Sequence, residues 1–544
     1  MTARSRLRGR LWRGTFGRVQ LVALFTVLLG VALEMVSSGS VAVAQSSTAP
    51  SAKTVAASFR FVPGACPVPP SPIPELSTAR CGHLIVPEDR HHPNNRTISL
   101  SVAIIPSKSP TPKPDPIIWL AGGPGDDAIA EIPMALAGDL NADHNVIFMA
   151  QRGTSTAQPF LTCPEVDRLG ADTLNMAYDA AAAERAYVEA TKTCRSRLVA
   201  RHVDLGSYNT LESADDLNDL RLALGIDQWN VFGISYGTDL ALNYMRMYPE
   251  GIRSVGIDGV FPPPLSGGVA AWTSASEGIN AVFAACAAQQ PCRARYGNIS
   301  ATFRRLVVQY ERSPKSVSVT VPGVKGPVRV MISGGMLVQW AVSPGTHTAA
   351  EVPAAIDALA NGNPGPVAST WAAIKLNPAA VGGYGNGLYY SISCGEWVPY
   401  ETEASVIATG RRAFPTFPKS VLMNAPNLQF MRPDCGVWNK AKVPSSVRAA
   451  TRSKIPTLVM SSQYDGQTAA SFGRLVAKGL PNSTVVTVPN IAHVAFSSPS
   501  PVANACAQSI VRSFFDVLNR VNTSCVTAVP PTSFVITPPR SGAP

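Results

Sequence analysis

The sequence predicts an α/β fold, a mostly parallel sheet with helices on both faces. Three observations lead there. Short apolar runs alternate with helical patterns from about residue 80 onward. The runs are apolar throughout rather than every second residue, as strands buried on both faces require. The alternation breaks near Pro262 and resumes near Pro456, so one long insertion interrupts one sheet.

The elements follow in order. His83 to Pro87 and Ile98 to Ile105 read as two strands joined by a polar turn containing Pro93 and Asn94. Pro116 to Leu120 is the next strand and runs into Ala121-Gly122-Gly123-Pro124-Gly125; Asn145 to Ala150 follows. Ser213 to Leu224 is amphipathic, with Ala214, Leu217, Leu220 and Leu224 on one face and Asp215, Asp216, Asp219 and Arg221 elsewhere. Gly225 suits its C-terminus. Trp229 to Gly233 and Arg253 to Val260 are strands, with a helix from Asp239 to Tyr248 between them. After the insertion, Pro456 to Ser461 and Thr484 to Val488 are strands, and Val502 to Leu518 fits a closing helix.

The chain has 544 residues, 46% of them hydrophobic and 15% charged, enough for a large core. Its net charge of +11 owes much to the first 44 residues, which hold six arginines and one acid, Glu34, so the remainder carries +6. A balance that small, without a dense Lys/Arg run after residue 44, excludes nucleic acid as a partner. The basic start precedes an apolar run, Leu21 to Leu33, too short to span a bilayer comfortably. Ala42-Val43-Ala44 then offers a small-residue cleavage site, so residues 1–44 read as a signal peptide cut before Gln45. An uncleaved anchor is the rival reading. No Arg-Arg pair suggests twin-arginine export, and no second long apolar run suggests a membrane span after cleavage. The expected location is secreted, periplasmic or cell-envelope.

Ten cysteines in an exported chain suggest disulfides. The simplest connectivity pairs sequence neighbours: Cys66 with Cys81, Cys163 with Cys194, Cys286 with Cys292, Cys394 with Cys435, Cys506 with Cys525. No Cys-x-x-Cys pair exists and no His stands at ligand spacing beside a Cys, so no metal is expected, and no cofactor. The expected organisation is a flexible segment 45–60, an N-terminal core part 61–262, a mainly helical cap or lid insertion 263–453, a C-terminal core part 454–525 and a loose Pro-rich tail 526–544. Oligomeric state has no signature.

Gly233-Ile234-Ser235-Tyr236-Gly237 lies after a strand and before a helix, the context of a nucleophile elbow. Alone the pentapeptide is weak; the flanking strand and helix make it specific. It makes Ser235 the candidate nucleophile and refines the fold to an α/β-hydrolase. A serine hydroxyl needs a base. Of seven histidines, only His493 follows the resumed sheet, in the loop after the last strand. Asp465, in Ser462-Gln463-Tyr464-Asp465-Gly466, occupies the acid position in the loop of the preceding strand. Backbone N–H groups of Gly123 and Tyr236 are the expected oxyanion hole.

Gly122 to Gly125, Gln151-Arg152-Gly153-Thr154, the block from Asp216 to Thr238 and Asp258-Gly259-Val260 resemble the proline iminopeptidase and tripeptidyl aminopeptidase family of exported bacterial serine peptidases. Cys81 to Pro87 is similar to that family's first sheet strand. The resemblance spans roughly residues 60–520 and is weakest across the insertion. It implies a Ser235/Asp465/His493 triad, a cap over the site, and release of short units, a tripeptide or smaller, from free peptide N-termini through an acyl-enzyme. It also implies acidic cap residues for the substrate amine, with Glu396 the nearest match. Ala121, Ala150 and Ala469 depart from the family pattern, where His, Asp and Pro are common, and leave the triad untouched. A secreted carboxylesterase or lipase would use the same triad; a hydrolase-fold protein that only binds a ligand is the remaining alternative.

Overall fold

The computed structural model describes residues 59–91, 96–343, 348–377, 382–438, 441–518 and 521–537. The expected signal peptide, nearly all of the 45–60 segment and the Pro93-Asn94 turn lie outside these residues. Ten strands form the main sheet: β1 (Arg60–Pro63), β2 (Arg80–Pro87), β3 (Thr97–Ile105), β4 (Lys113–Leu120), β5 (His144–Met149), β6 (Ala157–Gln158), β7 (Trp229–Ile234), β8 (Ile252–Asp258) and, after an inserted hairpin of β9 (Lys315–Val319) and β10 (Val328–Ile332), β11 (Thr457–Ser462) and β12 (Ser483–Val488). The order is β1-β2-β3-β5-β4-β7-β8-β11-β12, with β6 on β3. Pairing is antiparallel from β1 to β5 and parallel from β5 onward.

The fully apolar runs have a direct explanation. Ile117 and Trp119 of β4 enter one core with Phe148, Phe232, Ile510 and Phe514. Ile118 and Leu120 point the other way, into a second core with Val231, Leu217, Leu220 and Leu240. β5, β7 and β11 likewise feed both cores with alternate residues, so a polar side chain on either face of these central strands would cost its desolvation. The helix Thr210–Ala223 is capped by the Asn209 side chain, which accepts from Glu212 N, and Gly225 follows it at φ 67°. Its acidic face is not solvated as the periodicity suggests. Asp216 is buried and binds the buried Arg152 through two bonds of 2.8 Å. Arg152 also donates to Glu88 O and Ser207 O. The Gln-Arg-Gly-Thr block thus owes its arginine to a buried ion pair that locks one sheet face.

Between β8 and β11 lie helices and the β9/β10 hairpin, with a core of their own around Trp272, Phe303, Leu306, Phe414 and Phe417. The helical cover is not confined to that stretch. The helix Ala181–Ala200, within the span expected to be N-terminal core, packs on the helix Met431–Trp438, and Arg195 Nε donates to Trp438 O at 2.7 Å. Leu198, Leu388, Ile392 and Trp438 share one apolar cluster there. All ten cysteines pair with their sequence neighbours. The expected loose tail needs correction over residues 526–537. Val529 and Phe534 are buried, Tyr296 donates its hydroxyl to Val535 O, and Asn490 donates to Pro530 O. Proline content signals a chain without regular structure, not a chain without contacts. No helix among the described residues is long and apolar enough to cross a membrane.

Candidate active site

Strand β7 delivers Ser235 at the sheet's C-terminal edge, where φ 51° and ψ −124° turn the chain into the helix Tyr236–Met247. That turn is strained for a residue with a side chain. Glycine at 233 and 237 makes it possible: a Cβ on Gly233 would stand 2.5 Å from Gly237 O, and one on Gly237 2.3 Å from Leu120 O. Ser235 N donates to Asp258 O at 3.0 Å, and Thr238 Oγ1 donates to Ser235 O at 2.6 Å.

Loops after β11 and β12 bring Asp465 and His493 to the same edge. His493 Nε2 lies 3.0 Å from Ser235 Oγ, and His493 Nδ1 lies 2.8 Å from Asp465 Oδ2. Asp465 is 1% exposed and fully engaged. Its Oδ1 accepts from Gln467 N and Thr468 N at 2.8 Å each, and its Oδ2 accepts from Thr468 Oγ1 at 2.5 Å. Thr468 was not among the expected site residues, although the Asp-x-x-Thr spacing is a local signal for such a turn. Burial pushes the His493 imidazole down, but the charge and hydrogen bond of Asp465, with Asp258 and Asp126 nearby, outweigh it and hold it above the ordinary histidine value. Asp258 is buried beneath, pushed up to about 6 by burial, and accepts from Phe496 N at 2.8 Å. It therefore steadies the loop that carries His493.

A cavity of about 370 Å3 opens over Ser235, and Gly123 and Tyr236 share its wall. Gly123 takes φ 101°, accessible to glycine. Asp127 fastens this loop: its Oδ2 accepts from Thr156 N at 2.6 Å and from Ser155 Oγ at 2.8 Å. Gln151 Nε2 reaches Ala121 O at 3.1 Å. Arrangements of this kind can generate an alkoxide and hold a tetrahedral adduct.

Glu396 goes elsewhere. It is 2% exposed, with Oε1 accepting from Thr210 N at 2.8 Å and Oε2 from Thr210 Oγ1 at 2.7 Å. One wide helical turn, Ser393–Trp397, sends Ser393 and Trp397 into the cavity and Glu396 behind it. The carboxylate that does line the cavity is Glu401, which accepts from Gly268 N and Val269 N at 3.0 and 3.3 Å and stands 3.7 Å from Arg432. Nothing in its local sequence marks it. Phe261, Tyr384, Tyr389 and Trp397 give the cavity its aromatic wall.

The alpha/beta hydrolase fold family matches residues 115–279, and a family described as TAP-like protein matches residues 422–525. The first holds Ser235, the second Asp465 and His493. Serine protease Hip1 of Mycobacterium tuberculosis is 27% identical over 197 residues, covering 34% of this chain and 36% of that protein. Tripeptidyl aminopeptidase of Streptomyces coelicolor is 24% identical over 207 residues, 34% and 35% of the two chains. A proline iminopeptidase of Xylella fastidiosa is 40% identical over 60 residues, 11% and 19%. Each match thus spans about a third of the relative's length or less. The chain thus has the α/β-hydrolase fold, and over about a third of its length or less it is similar to proteins named serine protease, tripeptidyl aminopeptidase and proline iminopeptidase.

Proposed function

We propose that this chain is an exported serine peptidase that releases short units, a tripeptide or smaller, from free peptide N-termini. The observation that carries the reading is the hydrogen-bonded line Ser235–His493–Asp465 opening into one cavity that also holds a buried carboxylate, Glu401. Five disulfides support an oxidising, extracytoplasmic location.

In this mechanism the peptide carbonyl enters with its oxygen toward the N–H groups of Gly123 and Tyr236. Ser235 Oγ attacks the carbonyl carbon while His493 Nε2 takes its proton. The C–O bond forms, and the resulting oxyanion is held by the two N–H groups. His493 then gives the proton to the leaving nitrogen, the C–N bond breaks, and the shortened peptide departs. Water repeats the attack on the ester with His493 as base, freeing the acyl unit and Ser235. Asp465 keeps the Nδ1 proton in place and stabilises the imidazolium.

The test compares a free and an N-acetylated chromogenic tripeptide amide with simple acyl esters. The wild type is expected to turn over the free tripeptide, and to lose most of that rate on acetylation. Ser235→Ala is expected to abolish turnover and fluorophosphonate labelling while its circular dichroism stays native. Unchanged tripeptide turnover in that variant refutes the mechanism; ester activity without any amide activity makes the protein an esterase.

A further inference from the structure

Tyr384 is a partition between two chambers. On one side is the cavity over Ser235; on the other is a cavity of about 570 Å3 lined by Pro69, Pro72, Ile73, Asp126 and Asp167, with Tyr384 on both walls. The partition sits on the glycine loop itself. Tyr384 donates its hydroxyl to Pro124 O at 2.7 Å, and Gly385 N donates to Gly125 O at 3.0 Å.

Asp126 is the next residue of that loop. A Cβ placed on Gly122 would lie 3.1 Å from Ser235 Cβ and 3.6 Å from Asp126 Oδ2. Carboxylate and nucleophile therefore flank the same small space. The other carboxylates nearby are occupied: Asp127 by the Ser155–Thr156 segment, Asp167 by Gly382 N and Asn386 Nδ2, and Glu131 by Trp119 Nε1. Asp126 is partly buried and has no hydrogen-bond or ion-pair partner among the described residues. Burial raises it to about 6, opposed by His493 and helped by Asp127. A carboxylate on a cavity wall with no partner from the protein is free to take a cation, and partial desolvation strengthens that pairing. The proline and isoleucine wall suits the methylene stem of a long basic side chain.

We propose that Asp126 sets specificity by receiving the ammonium or guanidinium of a basic substrate side chain in the chamber beyond Tyr384. The proposal rests on the peptide-hydrolase reading and names a substrate class for it.

Chromogenic peptides in matched pairs test it, with Lys or norleucine at each position flanking the scissile bond and the N-terminus free or acetylated. At one position the wild type is expected to favour Lys in kcat/KM by at least about tenfold. Asp126→Asn is expected to collapse that ratio toward one and Asp126→Glu to keep it, with fluorophosphonate labelling reporting a folded site. A wild-type ratio near one at every position overturns the proposal, as does a ratio that Asp126→Asn leaves intact. If Asp126→Asn erases the effect of acetylation instead, the occupant is the substrate's terminal amine and the side-chain assignment is wrong. Should no peptide be cleaved, the peptidase reading fails, and p-nitrophenyl acetate hydrolysis decides the site alone. Stronger inhibition by n-butylammonium than by n-butanol, lost in Asp126→Asn, keeps the cation site; equal inhibition sinks it.

Discussion

His493 is held by groups with opposed effects. Burial disfavours its cation, and Asp465 more than restores it. The base must be neutral to take the Ser235 proton. Activity is therefore expected above the His493 pKa and expected to fall as pH drops through it, with a midpoint above the ordinary 6.5. Asp465→Asn removes the largest upward influence. Its kcat/KM profile is expected to shift its acid limb to lower pH, with a rate about 10⁴-fold lower because the Nδ1 proton loses its acceptor. A pH series on both proteins checks this; an unmoved midpoint would mean another group controls the limb.

At the scale of elements, the site depends on close backbone approaches that only glycine allows. The helix Gly267–Ala288 meets the Asp465 loop at Gly278, where a Cβ would stand 2.7 Å from Gly466 N and 2.8 Å from Asp465 C. Gly278→Ala is expected to push the acid away from His493, lowering kcat and costing about 1–3 kcal/mol in denaturant unfolding. Gly436 supplies the contrast. It lies in the helix Met431–Trp438, and a methyl there would have nothing within 4 Å, so Gly436→Ala should leave activity intact and add up to about 1 kcal/mol. Equal effects from the two substitutions would contradict the packing argument.

At the scale of the molecule, the segment around Val529 and Phe534 ties the inserted helices to the loop that carries His493. Tyr296 and Ala350 of the insertion bond to Val535, while Asn490, three residues before His493, bonds to Pro530. Truncation at residue 528 uncovers apolar surface once covered by two buried side chains, each contributing about 1.5–3 kcal/mol. A lower Tm and a faster loss of activity on warming are expected, followed by calorimetry and residual turnover. A truncated protein as stable as the full chain would show that these contacts are incidental.

The sheet, its strands in their order along the chain and Ser235 were readable because their signals are local: apolar runs, and glycines spaced for a sharp turn. Asp465 and His493 were readable because they close the last two strands. The chamber beside Asp126, the place of Glu401 on the cavity wall and the position of Glu396 were not. Each depends on which segments meet across long stretches of chain, as Glu396 meets Thr210 and Tyr384 meets Pro124. A hydrogen-bonding carboxylate has no periodicity, so its direction follows from the turn beneath it and the neighbour it finds. The residues that meet at Ser235 could thus be read along the chain, whereas the walls of the cavities follow from packing between distant segments.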